Sequence, residues 1–245
     1  MDVGVPELAA RIERRLLVNY RLDAGVAGSL LPRGLRPQLV DGSAVAGVCL
    51  LRLGAVRPSW VRPAIGWGAE NAAHRIAVEW DDASGTHSGV YIPIRHSASW
   101  LPVALGGRVF PGVHRHARFT GNETDDVVRV TMTAEDAQVH AEVVLTDVWR
   151  SSLFATLADA SEFFRRGSVG WSPGRADHGL KAIALATTQW QVRPGSAIEV
   201  HSSFFAALPA GSAELDNVLV MSDVPVTWRV PGGGAPGLPV GRAAT

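Results

Sequence analysis

Scarcity sets the first limits. Cys49 is the only cysteine and Lys181 the only lysine among 245 residues. One cysteine cannot build an intrachain disulfide framework or a cysteine-based zinc site. Its apolar setting, AVAGVCLLRL, predicts a small buried hydrophobe. The 23 Lys and Arg balance 23 Asp and Glu, so no overall field draws the chain to nucleic acid or an anionic membrane. No apolar run approaches the ~18 residues of a bilayer-spanning helix. The start, MDVGVPELAARIERR, lacks the unbroken apolar core of a signal peptide. These absences lead to the expectation of a cytoplasmic protein. A GxxxxGK[ST] phosphate loop, a GxGxxG between strand and helix, and HExxH are all missing. Basic residues are scattered and are not interleaved with aromatics, so no nucleic-acid partner is expected.

What is present alternates. Pro6 predicts a short opening helix over residues 6–15, followed by a strand in RLLVNYRL. Asp23 is placed to cap a short helix through GVAGSLL, ended by Pro32 and Gly34. Two apolar runs flank Asp41-Gly42, a pair suited to the type I′ turn of a hairpin. A second hairpin is expected from Glu70 to His96. There Ile76, Val78 and Trp80 alternate with Arg75, Ala77 and Glu79 before the turn DDASGTH. Val90, Ile92 and Ile94 alternate on the return. Ser97 is placed to cap a helix through ASWLPVALGG, with Pro102 in its first turns.

HRHARFT, VVRVTMT with its partner QVHAEVVL, TTQWQVR, IEVHSSFFAAL and PVTWRV read as further strands. DASEFFRR reads as a short helix and ADHGLKAIAL as a loop. PGGGAPGLPVGRAAT, residues 231–245, predicts a flexible Gly/Pro-rich tail. With no internal repeat, residues 1–230 read as a single α+β domain. Its sheet is mostly antiparallel and closed or nearly closed, with a few short helices.

The run NYRLDAGVAGSLLPRGLRPQLVDGSAVAGVCLLRL resembles the opening of the domain-of-unknown-function 2071 family. GVYIPI, HRHAR, ASEFFRRGSVGWSP and SSFF resemble its later segments, so the likeness spans residues 14–230. That family sits in the acetoacetate-decarboxylase-like superfamily, which implies a cone-shaped antiparallel β-barrel with a central pocket. In the decarboxylase a lysine after a Tyr-Pro pair forms a Schiff base with the keto acid, beside a glutamate. The matching text here is GGRVFPGVHRH. Phe110-Pro111 takes the Tyr-Pro place, and Gly112 and Val113 stand where the paired lysines would be. Glu70 is the counterpart of the glutamate. Schiff-base catalysis needs a pocket amine with a lowered pKa, and Lys181 is far from the matching position. The resemblance therefore implies a related barrel that is not a Schiff-base decarboxylase.

Strand parity adds candidates. If Ile76, Val78 and Trp80 face the core, Glu70 and His74 face it too. Pairing across DDASGTH brings His96 near residue 72, so a carboxylate and two imidazoles gather at a pocket mouth. The alternative is a strand end emerging into solvent, with Glu70 merely wet. Along HRHAR, His114, His116 and Arg118 share one face, and Val113, Arg115, Ala117 and Phe119 share the other. Apolar company puts Arg115 at the pocket, placed to clamp a carboxylate or enolate oxygen, unless it forms a structural salt bridge. His114 and His116 stay open between solvent and pocket wall. Two imidazoles need a third ligand, from His96 or Glu70, to hold a metal, so neither metal nor other cofactor is expected.

Three readings follow. One is a lyase-type enzyme acting on a small carbonyl or carboxylate compound. Glu70 would be its acid or base, His96 would assist, and Arg115 would stabilise negative charge. His74, Trp80, Trp100, Phe110, His114 and His116 would line the substrate. The second is a non-catalytic protein holding a small apolar ligand, with Trp80 and Trp100 as walls. The third is a scaffold with a collapsed pocket that acts through its surface. The first two take a small molecule as partner, and assembly into a homo-oligomer stays open.

Overall fold

A computed structural model of the protein describes residues 7–62, 66–100, 112–174 and 179–229. The Ala, Arg and Glu of ELAARIERR favour a helix locally, yet the segment forms strand β1, Leu8–Leu22. Along its length β1 pairs on one side with β4 (Ser43–Pro58) and on the other with β15 (Ala213–Arg229). Two full ladders outweigh propensity differences of roughly 0.7 kcal/mol or less per residue. The helix expected over 6–15 is therefore replaced by a strand in its described part.

Local signals hold in the next stretch. Asp23 caps α1 (Ala24–Ser29), its carboxylate accepting from Val26 N at 2.9 Å. Asp41 and Gly42 take φ of 47° and 79°, the left-handed pair a type I′ turn requires, and join β3 (Leu39–Val40) to β4. The second hairpin is β5 (Trp67–Asp82) with β6 (Gly85–Tyr91), and β2 (Arg36–Pro37) lies against β5. Strand β7 (Arg95–Ser97) returns to β5 with His96 opposite Ala72. Beside it runs β8 (His114–His116), in parallel.

A meander follows: β9 (Arg118–Glu123), β10 (Val127–Thr133) and β11 (Gln138–Leu145). Thr156 and Asp159 form a reciprocal capping box that opens α2, Leu157–Arg166. The chain then makes β12 (Val169–Pro173), β13 (Leu180–Ala186), β14 (Arg193–Ser202) and α3 (Ser203–Ala206). Three expectations are corrected here. KAIALA is strand β13, paired with β12 and β15, and is not a loop. TTQWQVR is the connection out of β13, where Thr187 Oγ1 donates to Pro225 O and accepts from Gln189 N. The strand through IEVHSSFFAAL stops at Ser202, and SFFA turns into α3. The helix expected through ASWLPVALGG lies outside the described residues beyond Trp100, as does the tail.

The described strands belong to one sheet, and seven of them close into a ring, β1-β4-β5-β6-β12-β13-β15 and back to β1. From β15 the sheet continues through β14, β11, β10 and β9. On the outer face of the ring, Leu16, Val48 and Ile76 pack with Met132, Val139 and Val143 of that continuation. On the inner face, Leu17, Cys49 and Ala77 pack with Phe164 of α2. Further along, Ile12, Leu53 and Met221 pack with Ile183. Strands buried on both faces explain apolar runs such as AVAGVCLL, which do not alternate. No helix among the described residues is long and apolar enough to cross a membrane.

Candidate functional site

All seven ring strands contribute to the wall of an inner cavity of about 160 Å³. A hole of roughly 150 Å³ holds one benzene-sized molecule. Small residues leave the room: Ala73 and Ala77 on β5, Gly89 on β6 and Gly170 on β12. Trp67, Phe163, Phe164, Ile183, Trp190 and Trp228 supply apolar walls. Trp190 is fixed by its indole N–H, which donates to Ser161 Oγ of α2 at 3.0 Å. Into this largely apolar space come Arg15, Arg75 and Arg95, beside Gln38, Asn71, His96, His114 and Ser168, and the described lining residues include no Asp or Glu.

Each arginine arrives by a definable route. Ile12 opposes Leu53 and Arg14 opposes Arg52, which leaves Glu13 as the extra residue on β1. Such a bulge shifts the alternation by one, so Arg14 points out of the ring and Arg15 into it. Arg15 Nε donates to Cys49 Sγ at 3.2 Å. Arg75 is 4% exposed, donates to Asn19 Oδ1, and lies over the Phe164 ring at 4.8 Å. Asn19 in turn donates to Asn217 Oδ1 at 2.7 Å, and Asn217 to Asp216 Oδ2 at 2.6 Å. Arg95 Nη2 donates to Ser172 Oγ at 3.3 Å. Burial lowers the pKa of both Arg75 and Arg95 to about 10. Both remain cationic at neutral pH, and both are desolvated, which strengthens their pull on an anion.

The residues expected at the site are dispersed. Glu70 lies on the outer face of β5, paired with Arg14 and with Arg52 Nε at 2.7 Å. Glu123 of β9 closes that network onto Arg14 and Arg52. His74 is buried on the same outer face, 2.9 Å from Ser202 Oγ and stacked on Phe204. Trp80 is buried there too, edge-on to Trp171. Glu70, His74, Ile76 and Trp80 share one face of β5, as the alternation predicts, but the cavity lies on the other face.

The HRHAR segment is reversed in the same way. His114 lines the cavity, whereas Arg115 is 51% exposed and pairs with Asp136 at 2.9 Å. His116 is half-buried and stacks on the exposed ring of Trp100 at 4.1 Å. His96 is fully buried at the cavity wall, its Nε2 bonded to Asp136 Oδ1 at 3.1 Å. Burial opposes ionisation of Asp136, but the His96 hydrogen bond and the charges of His96 and Arg115 outweigh it and lower its pKa. Phe110 lies outside the described residues.

Sequence reasoning missed Arg15, Arg75 and Arg95. A usable signal existed in β5, where Asn71, Ala73, Arg75 and Ala77 set one arginine among small residues opposite the bulky alternation. It also missed a formal GxSxG match, Gly170-Trp171-Ser172-Pro173-Gly174. A nucleophile elbow needs a strand-to-helix turn; Ser172 sits fully buried inside β12, which pairs with β13. Among the described residues no cluster of three or more His, Cys, Asp or Glu is placed to hold a metal.

The fold is similar to that of several solved structures. Acetoacetate decarboxylase from Legionella pneumophila superposes with a TM-score of 0.58 at 14% identity, covering 93% of this chain and 86% of that one. An acetoacetate decarboxylase-like enzyme from Sphingomonas wittichii RW1 gives 0.57 at 16% identity, covering 97% and 94%. The enduracididine biosynthesis enzyme MppR, complexed with pyruvate, gives 0.56 at 14% identity, covering 94% and 91%. The fold is thus acetoacetate-decarboxylase-like. A family model matches residues 9–223, and the chain belongs to that family, domain of unknown function 2071, described as an uncharacterized conserved protein. No curated protein matches the chain.

Proposed function

We propose that the ring cavity binds a small carboxylate and serves as the substrate site of a lyase-type enzyme that forms no lysine imine. The observation that carries this reading is Arg15 and Arg75 in the wall of a largely apolar cavity, with no Asp or Glu among its described lining residues. A buried cation such as Arg75, whose Nε has no hydrogen-bond partner among the described residues, is costly unless a ligand anion completes it. Arginine suits the task because its planar fork matches a carboxylate. His96, held by Asp136, is the acid or base candidate at the wall. With the Nε2 hydrogen donated to Asp136, Nδ1 is left to accept a proton. Lys181, the only lysine, is exposed on β13 and is not among the described lining residues, which supports a reading without Schiff-base chemistry. The pyruvate bound by MppR, a protein of the same fold, is consistent with a small carboxylate ligand.

A second reading, a binding protein without catalysis, draws on the position of Glu70. The carboxylate expected to transfer protons is engaged outside the ring by Arg14 and Arg52. Titration with pyruvate, acetoacetate and benzoate, against neutral amides of the same shape, tests the carboxylate site. Carboxylates alone should raise the melting temperature, and Arg75→Gln should weaken their binding by at least about tenfold. Equal stabilisation by amides would remove the reading. Turnover of a bound carboxylate, with no adduct after borohydride, separates the enzyme from the binder.

A further inference from the structure

Carboxylate binding leaves the Cys49 thiol in the cavity wall unused. Cys49 lies on the inward face of β4 and lines the cavity. Its thiol is free, and its sulfur accepts the hydrogen bond from Arg15 Nε at 3.2 Å. An independent observation points to a ligand beside it. Arg75, 4% exposed, lines the same cavity, and its Nε has no hydrogen-bond partner among the described residues. A buried donor left over in a cavity wall marks a place for an acceptor that the protein does not provide.

We propose that Cys49 is a ligand-facing nucleophile that captures small carboxylates carrying an electrophilic carbon, once their anion has docked on Arg15 and Arg75. The proposal rests on the carboxylate-binding reading and adds a covalent step to it. Reactive cysteines occur in electropositive surroundings within reach of a ligand, and docking converts a bimolecular encounter into a local one.

With a conjugated unsaturated acid, the sulfur pair forms the S–C bond at the β-carbon. The former π pair is displaced towards the carbonyl and returns to the α-carbon, which takes up the proton given by the thiol. No oxidant, reductant or leaving group is needed. With a haloacetate the S–C bond forms as the carbon–halogen bond breaks, the halide leaves with its electron pair, and the thiol proton goes to solvent.

Iodoacetate and iodoacetamide are the probes, because they share a reacting carbon and differ in charge. A single cysteine makes intact mass a direct readout of Cys49. On the native chain the iodoacetate-to-iodoacetamide rate ratio should exceed that of glutathione by about tenfold or more. Arg15→Gln and Arg75→Gln should each return the ratio towards that of glutathione while iodoacetamide still reacts. Cys49→Ser should take no label, yet unreactive propionate should still raise its melting temperature.

A native chain that refuses both reagents, while the urea-unfolded chain takes both, overturns the proposal. A glutathione-like ratio on the native chain overturns it as well. In either case, continued stabilisation by propionate keeps the carboxylate site standing, and its loss removes both.

Discussion

Arg75 and Asn19 meet across the inner wall of the ring, a guanidinium N–H donating to the Asn19 carbonyl oxygen. Asn19 stands opposite Asn217 in the β1–β15 ladder and hands the interaction on to Asp216. Two neutral amides thus separate Arg75 from the first carboxylate of this chain. The arrangement fixes the guanidinium in place while leaving its charge to act on the cavity. A direct Arg–Asp pair would fix it equally well and cancel that charge.

Asn19→Ala tests this relation. It removes the acceptor of Arg75 and the donor to Asn217, both in buried surroundings. Unsatisfied buried polar groups of this kind cost about 1–3 kcal/mol each. Denaturant unfolding should show a loss in that range. Carboxylate affinity should fall together with stability, because the freed guanidinium no longer holds one position. Unchanged affinity in a destabilised variant would show that the cavity positions Arg75 without Asn19.

Gly47→Ala should disrupt the same place from the other side. An added Cβ would lie 2.4 Å from the Val18 carbonyl oxygen and 3.2 Å from Asn19 Oδ1. The first contact is with backbone of the paired strand, which cannot swing away. Overpacking of this kind costs typically about 1–3 kcal/mol, and the β1–β4 ladder must shift beside Asn19. A lowered melting temperature with weakened carboxylate binding is the expected pair of results. Wild-type stability would mean that the strands separate locally at little cost.

Much of the fold was legible because its signals are local. Asp41-Gly42, the Asp23 cap, the hairpin turn at DDASGTH and DASEFFRR each carry their geometry within a few residues. The opening strand was not, since ELAARIERR becomes a strand only through β4 and β15, more than thirty and two hundred residues away. The site failed for a related reason. Alternation in β5 showed that Ile76, Val78 and Trp80 share a face with Glu70 and His74, and the structure keeps them together. What alternation cannot show is that β5 is buried on both sides, with bulky residues filling the outer core and small ones bounding the cavity. Arg15 was hidden further, because the bulge at Glu13 reverses the parity by which it would be read.

Glu70→Gln separates those two faces experimentally. Arg14 has 3% of its side chain exposed and relies on Glu70 and Glu123, which are 20% and 30% exposed. Removing one of the two negative charges should destabilise the fold by about 1–3 kcal/mol, with Glu123 limiting the loss. Binding in the cavity should be unaffected, because Glu70 lies on the other side of the sheet from Arg75. Lost ligand affinity at unchanged stability would return Glu70 to the site.

Acid should weaken the fold through His74. Burial lowers its pKa from 6.5 to about 4, repulsion from His96 adds to this, and attraction to Asp136 opposes it. In the unfolded chain the imidazole takes up its proton near 6.5, whereas in the folded chain it stays neutral until about 4. Between those values the unfolded state binds more protons. The contribution is therefore complete above about 6.5 and declines as pH falls towards 4, by at most about 1.4 kcal/mol per pH unit. His74→Gln retains a hydrogen-bonding group for Ser202 and removes the titration. Urea unfolding at pH near 7, 6 and 5 should give a steeper loss for wild type than for the variant. Parallel slopes would mean that His74 takes up its proton in the folded chain as readily as in the unfolded one, and that the outer core between β5 and β14 admits water to it.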